Sequence, residues 1–273
     1  MSTPNPCESH VTRRTALRGA AFAAGGALLG GAIDIVTAGG ALAAGEPHVY
    51  TRADWGARPP RTAAQVLSTG PDRIVVHHTA TSNSTDYSAS HAAALSRTIQ
   101  YHHMYNNGWS DMGQQLTISR GGHIMEGRNR SLSSIRNRKH VVGAHTANHN
   151  SHAIGIESEG TYASDAPPKA LMDALIDTCL WLCATYGLDP ATAIVGHRDY
   201  NATLCPGDKL YAMLPQLRTD VKARLRSLKV RADLAGEDDV PGAHAPTFPE
   251  VPRNERVAEF YHGPTLGERD PSA

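Results

Sequence analysis

The segment GHRDYNATLCPG (residues 196–207) places His197 and Cys205 eight positions apart in one proline-closed loop, just after the short apolar run AIV. Imidazole and thiolate are both metal ligands, and neither needs the other in order to sit in a fold. Together they ask for a third. A candidate stands in IVVHHTAT (74–81), where His77 and His78 end a β-branched run whose alternation sends them to opposite faces. A histidine at a strand end also fits a core rim. Grouped with His197 and Cys205, however, His77 completes two imidazoles and one thiolate with a fourth position open. That set describes a catalytic zinc site and not a closed structural one. The chain carries 15 histidines, many of them clustered between 77 and 152, which favours a site over plain scaffolding.

Elements must exist to hold these residues. DRIVVHHTA (72–80) reads as a buried strand, after a proline-closed lead-in over 46–70. Residues 87–108 read as a helix capped by Ser88 or Ser90 and stopped at Asn-Asn-Gly. QQLTISRGGHIMEGR (114–128) reads as a hairpin turning at Arg-Gly-Gly, and HVVGAH (140–145) and HAIGIESEG (152–160) read as two further strands. Pro167 and Pro168 open a long amphipathic helix that stops at Gly187; AIVGH is a strand, and 208–228 a last helix. The alternation predicts an α/β fold: a single domain with a central mixed β-sheet flanked by helices. Cys179 and Cys183 share a helix face with Leu171, Leu175, Ile176 and Leu182, so they read as buried apolar positions. A disulfide between them would distort the helix.

Lys plus Arg is 26 and Asp plus Glu is 26 in 273 residues, a balance that gives no electrostatic reason to expect nucleic acid or an acidic membrane as partner. Residues 1–45 read as an export signal of the twin-arginine kind. TRRTALRG (12–19) precedes an Ala/Gly-rich stretch that offers an A-x-A cut after Ala43. Asp34 and the glycines make a poor bilayer span, so no stable membrane anchor is expected once the signal is removed. Cys7 lies upstream of the arginines and would leave with the signal. Residues 46–230 form the expected domain, and 231–273 read as a disordered, charged, proline-rich tail.

IVVHHTAT, GWSDMGQQLTISRGGHIMEGR, VVGAHTANHNSHAIGIESEG and GHRDYNATLCPGDKLY, in this order, resemble the N-acetylmuramoyl-L-alanine amidase type 2 family. That family includes peptidoglycan recognition proteins and phage lysozyme-type amidases. The resemblance spans about residues 48–228. It implies one zinc ion per chain, bound by His77, His197 and Cys205. It also implies peptidoglycan or muropeptides as substrate, with hydrolysis of the amide joining N-acetylmuramic acid to L-alanine. For an exported chain the place of action would be the cell wall.

In one respect the chain departs from the pattern: Gln114 stands where many family members have a tyrosine, and glutamine has no acidic proton to donate. A second branch of the family also lacks that tyrosine and carries a glutamate in an IGIE strand. Here AIGIESEG supplies Glu157 as the expected general base acting on zinc-bound water, with Glu159 two residues on and on the same face. Thr203 matches a position that donates to the developing oxyanion. Gln114, His145 and Asn150 match substrate-cleft positions. Asn129 and Arg130 occupy the places that help to choose the third stem-peptide residue. The rival reading is a peptidoglycan-binding module of the same fold that does not cut. Retention of Cys205 argues against it, because non-cutting relatives commonly lose this ligand. A structural zinc domain is a third reading, disfavoured by the open position and the glutamate.

Overall fold

The structure is a computed structural model that describes residues 45–230. The proposed signal region and tail lie outside the described residues. Eight strands and five helices follow in chain order: β1 (Val49–Tyr50), β2 (Val66–Leu67), β3 (Arg73–His78), α1 (Ala89–Tyr101), β4 (Leu116–Ile118), β5 (Ile124–Glu126), α2 (Ser131–Arg136), β6 (His140–Val141), β7 (Ala153–Ser158), α3 (Lys169–Tyr186), α4 (Pro190–Ala193), β8 (Ile194–Gly196) and α5 (Asp208–Val230). Six strands make the main sheet in the order β1-β5-β4-β7-β3-β8. Only the β4–β5 hairpin is antiparallel, which makes the sheet mixed.

The two central strands, RIVVHH and AIGIES, are buried along their whole length, as a parallel strand covered on both faces requires. Ile74, Val76, Ile154, Ile156, Leu116, Ile118 and Ile194 point to one face and join the core under α3 and α5. Leu171, Leu175, Cys179 and Leu182 of α3 belong to that core, so both helix cysteines are packing residues, as expected. The other face carries Val75, His77, Thr117, Gly155 and Glu157 by alternation. Ser88 caps α1, its hydroxyl accepting from the His91 N–H at 3.2 Å. The helix then relaxes into one π-helical turn, His102–Asn106.

Three details differ from the sequence reading. The lead-in over 46–70 supplies two short strands, and β6 pairs antiparallel with β2 in a separate two-stranded sheet. The strand expected over 152–160 ends at Ser158, and the chain turns through Gly160 at φ +116°. No described helix is long and apolar enough to cross a membrane.

Buried histidines set an acid limit on this fold, and His140 is one that lies outside the metal cluster. His140 is 1% exposed, its Nε2–H donates to the Asn150 carbonyl at 2.8 Å, and burial pushes its pKa down from 6.5 to about 4. Between those values the unfolded chain holds a proton that the folded chain refuses, so stability rises with pH. The melting temperature of the zinc-free protein is therefore expected to fall as pH drops from 6.5 towards 4. His140→Gln, which keeps a donor for the carbonyl without the titration, should lessen that slope when melting is followed across the range, leaving the share of His78, whose pKa burial also pushes down to about 4.

Candidate metal centre

β3 carries His77 to its C-terminal end, and β8 delivers the chain into the 3₁₀ turn His197–Asp199. Asp199 secures that turn by accepting the Gly196 N–H at 2.8 Å. Cys205 follows in a loop gripped by Arg198. Its guanidinium donates to the Leu204 carbonyl, to the Cys205 carbonyl at 3.3 Å and to the Asp208 carboxylate at 2.8 Å. Gly207 follows at φ +90°, where a Cβ would meet the Tyr162 carbonyl at 2.4 Å. His77, His197 and Cys205 are all buried, and one donor atom from each lies within 4.8 Å of the others. The cluster could hold a metal ion.

Hydrogen bonds define which nitrogens face the cluster. His197 Nε2–H donates to Asn201 Oδ1 at 3.0 Å, which leaves Nδ1 as the lone-pair nitrogen. Burial pushes the His197 pKa down to about 3, against that bond. His77 Nδ1 lies 3.7 Å from Cys205 Sγ, and its Nε2 lies 3.0 Å from His145 Nδ1. His78 points the opposite way, its Nδ1 accepting the Tyr162 N–H at 3.3 Å, as strand alternation requires.

Glu157 sits in β7 in register with His77 on one side and Thr117 on the other, so the three side chains share a face. It is fully buried, and neither carboxylate oxygen has a hydrogen-bond partner among the described residues. Burial pushes its carboxyl well above the ordinary carboxylate range. Unpaired buried carboxylates are costly and rare outside functional sites. Glu159 is not its equivalent. Just beyond the strand end, its carboxylate is taken up by neighbours, pairing with His91 at 2.6 Å and accepting the Arg120 N–H at 2.7 Å. The two carboxylates differ in their partners: the Glu159 N–H still donates to the Ile118 carbonyl at 2.9 Å, and among the described residues only the Glu159 carboxylate is engaged.

Gln114 is buried just before β4, its Nε2 donating to Thr117 Oγ1 at 2.8 Å. Thr203 lies beneath the cysteine loop and accepts the Cys205 N–H at 3.1 Å, which uses a lone pair of the hydroxyl and not its proton. His145 and Asn150, both matched to cleft positions in the sequence, are buried and hydrogen-bonded. His145 is fully buried behind His77, and Asn150 Oδ1 accepts the N–H groups of His145 and Thr146 at 2.8 and 3.1 Å. Asn129 is likewise spent internally. It accepts from Ala64 and donates to the buried Asp111 carboxylate, whereas Arg130 is exposed at φ +70°. Asn201 was missed in the sequence, although its place four residues after His197 in a short turn is a usable signal.

A family model described as N-acetylmuramoyl-L-alanine amidase matches residues 67–208. The chain is 34% identical over 194 residues to the N-acetylmuramoyl-L-alanine amidase of Homo sapiens, covering 69% of this chain and 32% of that protein. It is 33% identical over 186 residues to that of Sus scrofa, covering 66% and 29%. The chain thus spans less than a third of the length of these two relatives. Among solved structures, a Drosophila PGRP-LB mutant in complex with tracheal cytotoxin superposes with TM-score 0.53 at 29% identity, over 61% of this chain and 92% of that one.

Proposed function

The chain belongs to the N-acetylmuramoyl-L-alanine amidase family, and from that premise we propose that it is an exported, zinc-dependent enzyme that cuts the amide between N-acetylmuramic acid and L-alanine in peptidoglycan. One observation carries the reading: a buried, unpartnered Glu157 carboxylate stands in register with His77 of the three-donor cluster. Two imidazoles and a thiolate are a donor set that suits zinc, and three protein ligands leave a position for substrate or water. His77, His197 and Cys205 would hold the ion. Zinc bound there supplies a Lewis acid that polarises the amide carbonyl and eases deprotonation of water.

The remaining chemistry falls to the chain. Glu157 takes the proton of the attacking water and returns it to the departing amine of L-alanine. Burial alone favours its neutral form, and a divalent cation, if held at the neighbouring His77, would favour the carboxylate that a base requires. Thr203 donates its hydroxyl proton towards the carbonyl oxygen as that oxygen gains charge. Gln114, tied to Thr117, orients substrate or water without shuttling a proton.

Gln114 in the tyrosine position also sustains the second reading, a module that binds muropeptide without cutting it. Metal analysis of the purified protein, followed by digestion of purified wall with and without a chelator, separates the two. The amidase requires bound zinc, loss of peptide release on chelation and recovery on adding zinc back. Binding that persists with no release in any condition favours the module.

Export rests on Arg13 and Arg14, outside the described residues. Changing both to Lys is expected to leave the protein in the cytoplasm, as read by fractionation. Unchanged secretion would remove the twin-arginine reading.

A further inference from the structure

We propose that His145 is a positioning residue: it accepts the Nε2–H of His77 and so holds His77 in the tautomer whose Nδ1 faces the metal position. This rests on the metal reading above and assigns a role to the GAH segment, which the catalytic scheme leaves unused.

The chain of donors starts at the backbone. His145 Nε2 lies 3.1 Å from the Ala153 carbonyl, which can only accept, so Nε2 carries the proton. An imidazole with its proton on Nε2 presents Nδ1 as an acceptor. His77 Nε2, 3.0 Å from that Nδ1, must donate, and its own Nδ1 keeps the lone pair directed towards Cys205 Sγ at 3.7 Å. Thr146 Oγ1, 2.9 Å from His145 Nδ1 and 3.4 Å from His77 Nε2, closes the group.

The surrounding strands are shaped around the His145 ring. A Cβ on Gly155 would lie 2.6 Å from His145 Nδ1 and 2.7 Å from its Cγ, and a Cβ on Gly143 would lie 2.5 Å from its Cδ2. Neither glycine has a positive φ, so it is the imidazole and not the backbone that excludes a side chain. Gln115 braces the slot, accepting the Gly155 N–H and donating to the Val141 carbonyl, both at 2.7 Å. Partners of this kind orient metal-binding histidines, and their loss typically weakens metal binding ~10–100-fold.

Two measurements on the full chain test the assignment. Long-range ¹H–¹⁵N NMR of the zinc-free protein reads the His77 tautomer directly; the Nε2–H form is expected, and an Nδ1–H form would overturn the proposal. Zinc affinity, by competition with a chelator, should fall ~10–100-fold in His145→Leu. It should stay within a few-fold of the parent in His145→Asn, whose Oδ1 stands where Nδ1 stood. Equal affinity of parent and Leu variant, or an equal loss in both variants, would sink the idea. If the Leu variant does not fold, Gly155→Ala displaces the ring while leaving both imidazoles in the chain. It should show the same loss, and unchanged affinity there would count equally against the role. A parent that takes up no zinc would overturn the metal reading itself, while the tautomer measured in that protein would still decide this one.

Discussion

Glu157→Gln is expected to lower turnover of muropeptide by ~10²–10⁴-fold while leaving zinc content and substrate binding unchanged, because positioned acid–base catalysis is worth about that much. The substitution is nearly isosteric in a fully buried strand position, and it removes only the capacity to take and return a proton. No hydrogen bond among the described residues is lost, since neither Glu157 oxygen makes one. The folded state should be no less stable: an amide replaces a carboxyl whose charged form burial already opposes. Two controls sharpen the result. Glu159→Gln should disturb the His91 and Arg120 contacts, and hence stability, more than the chemical step. Gln114→Ala should cost much less turnover than Glu157→Gln at equal zinc occupancy. Turnover near the parental rate in Glu157→Gln would remove it as the base.

Cys205→Ser should abolish activity through the metal. The thiol is 1% exposed and its loop is fixed by Arg198 and Thr203, so the exchange leaves the loop bonds in place and alters the donor atom. A serine hydroxyl is not deprotonated near neutral pH as a metal-bound thiol is. The loss of zinc affinity should exceed the ~10–100-fold that removal of an outer partner costs. Isothermal titration with zinc, run beside turnover, reads both effects. A serine variant that binds zinc and cuts like the parent would show that Cys205 is not a ligand.

The residues of the cluster were legible in the sequence because each lies at a point where local rules are strong. IVV is a continuous β-branched run that ends in His77 and His78, so strand alternation places the two histidines on opposite faces before any fold is known. His197 and Cys205 share one short loop after another apolar run. What escaped was non-local or terminal. Two-residue strands such as β1 and β2 carry no period, and the pairing of β6 with β2 is set by long-range packing. Alternation alone could not tell Glu159 from Glu157; the His91 and Arg120 partners that engage only Glu159 come from distant segments. His145 entered the sequence reading only through the family resemblance, as a match to a substrate-cleft position. Its place behind His77 follows from the Gly143 and Gly155 slot, which no single stretch of sequence reveals.

Mass spectrometry of a defined muropeptide, incubated with the zinc-loaded protein, tests the central claim most directly. Two products are expected, a muramyl sugar and a stem peptide with a new L-alanine amino terminus, and both should disappear in Glu157→Gln and after chelation. A muropeptide that stays intact at full zinc occupancy, while binding to the protein, would contradict the amidase and leave the recognition module in its place.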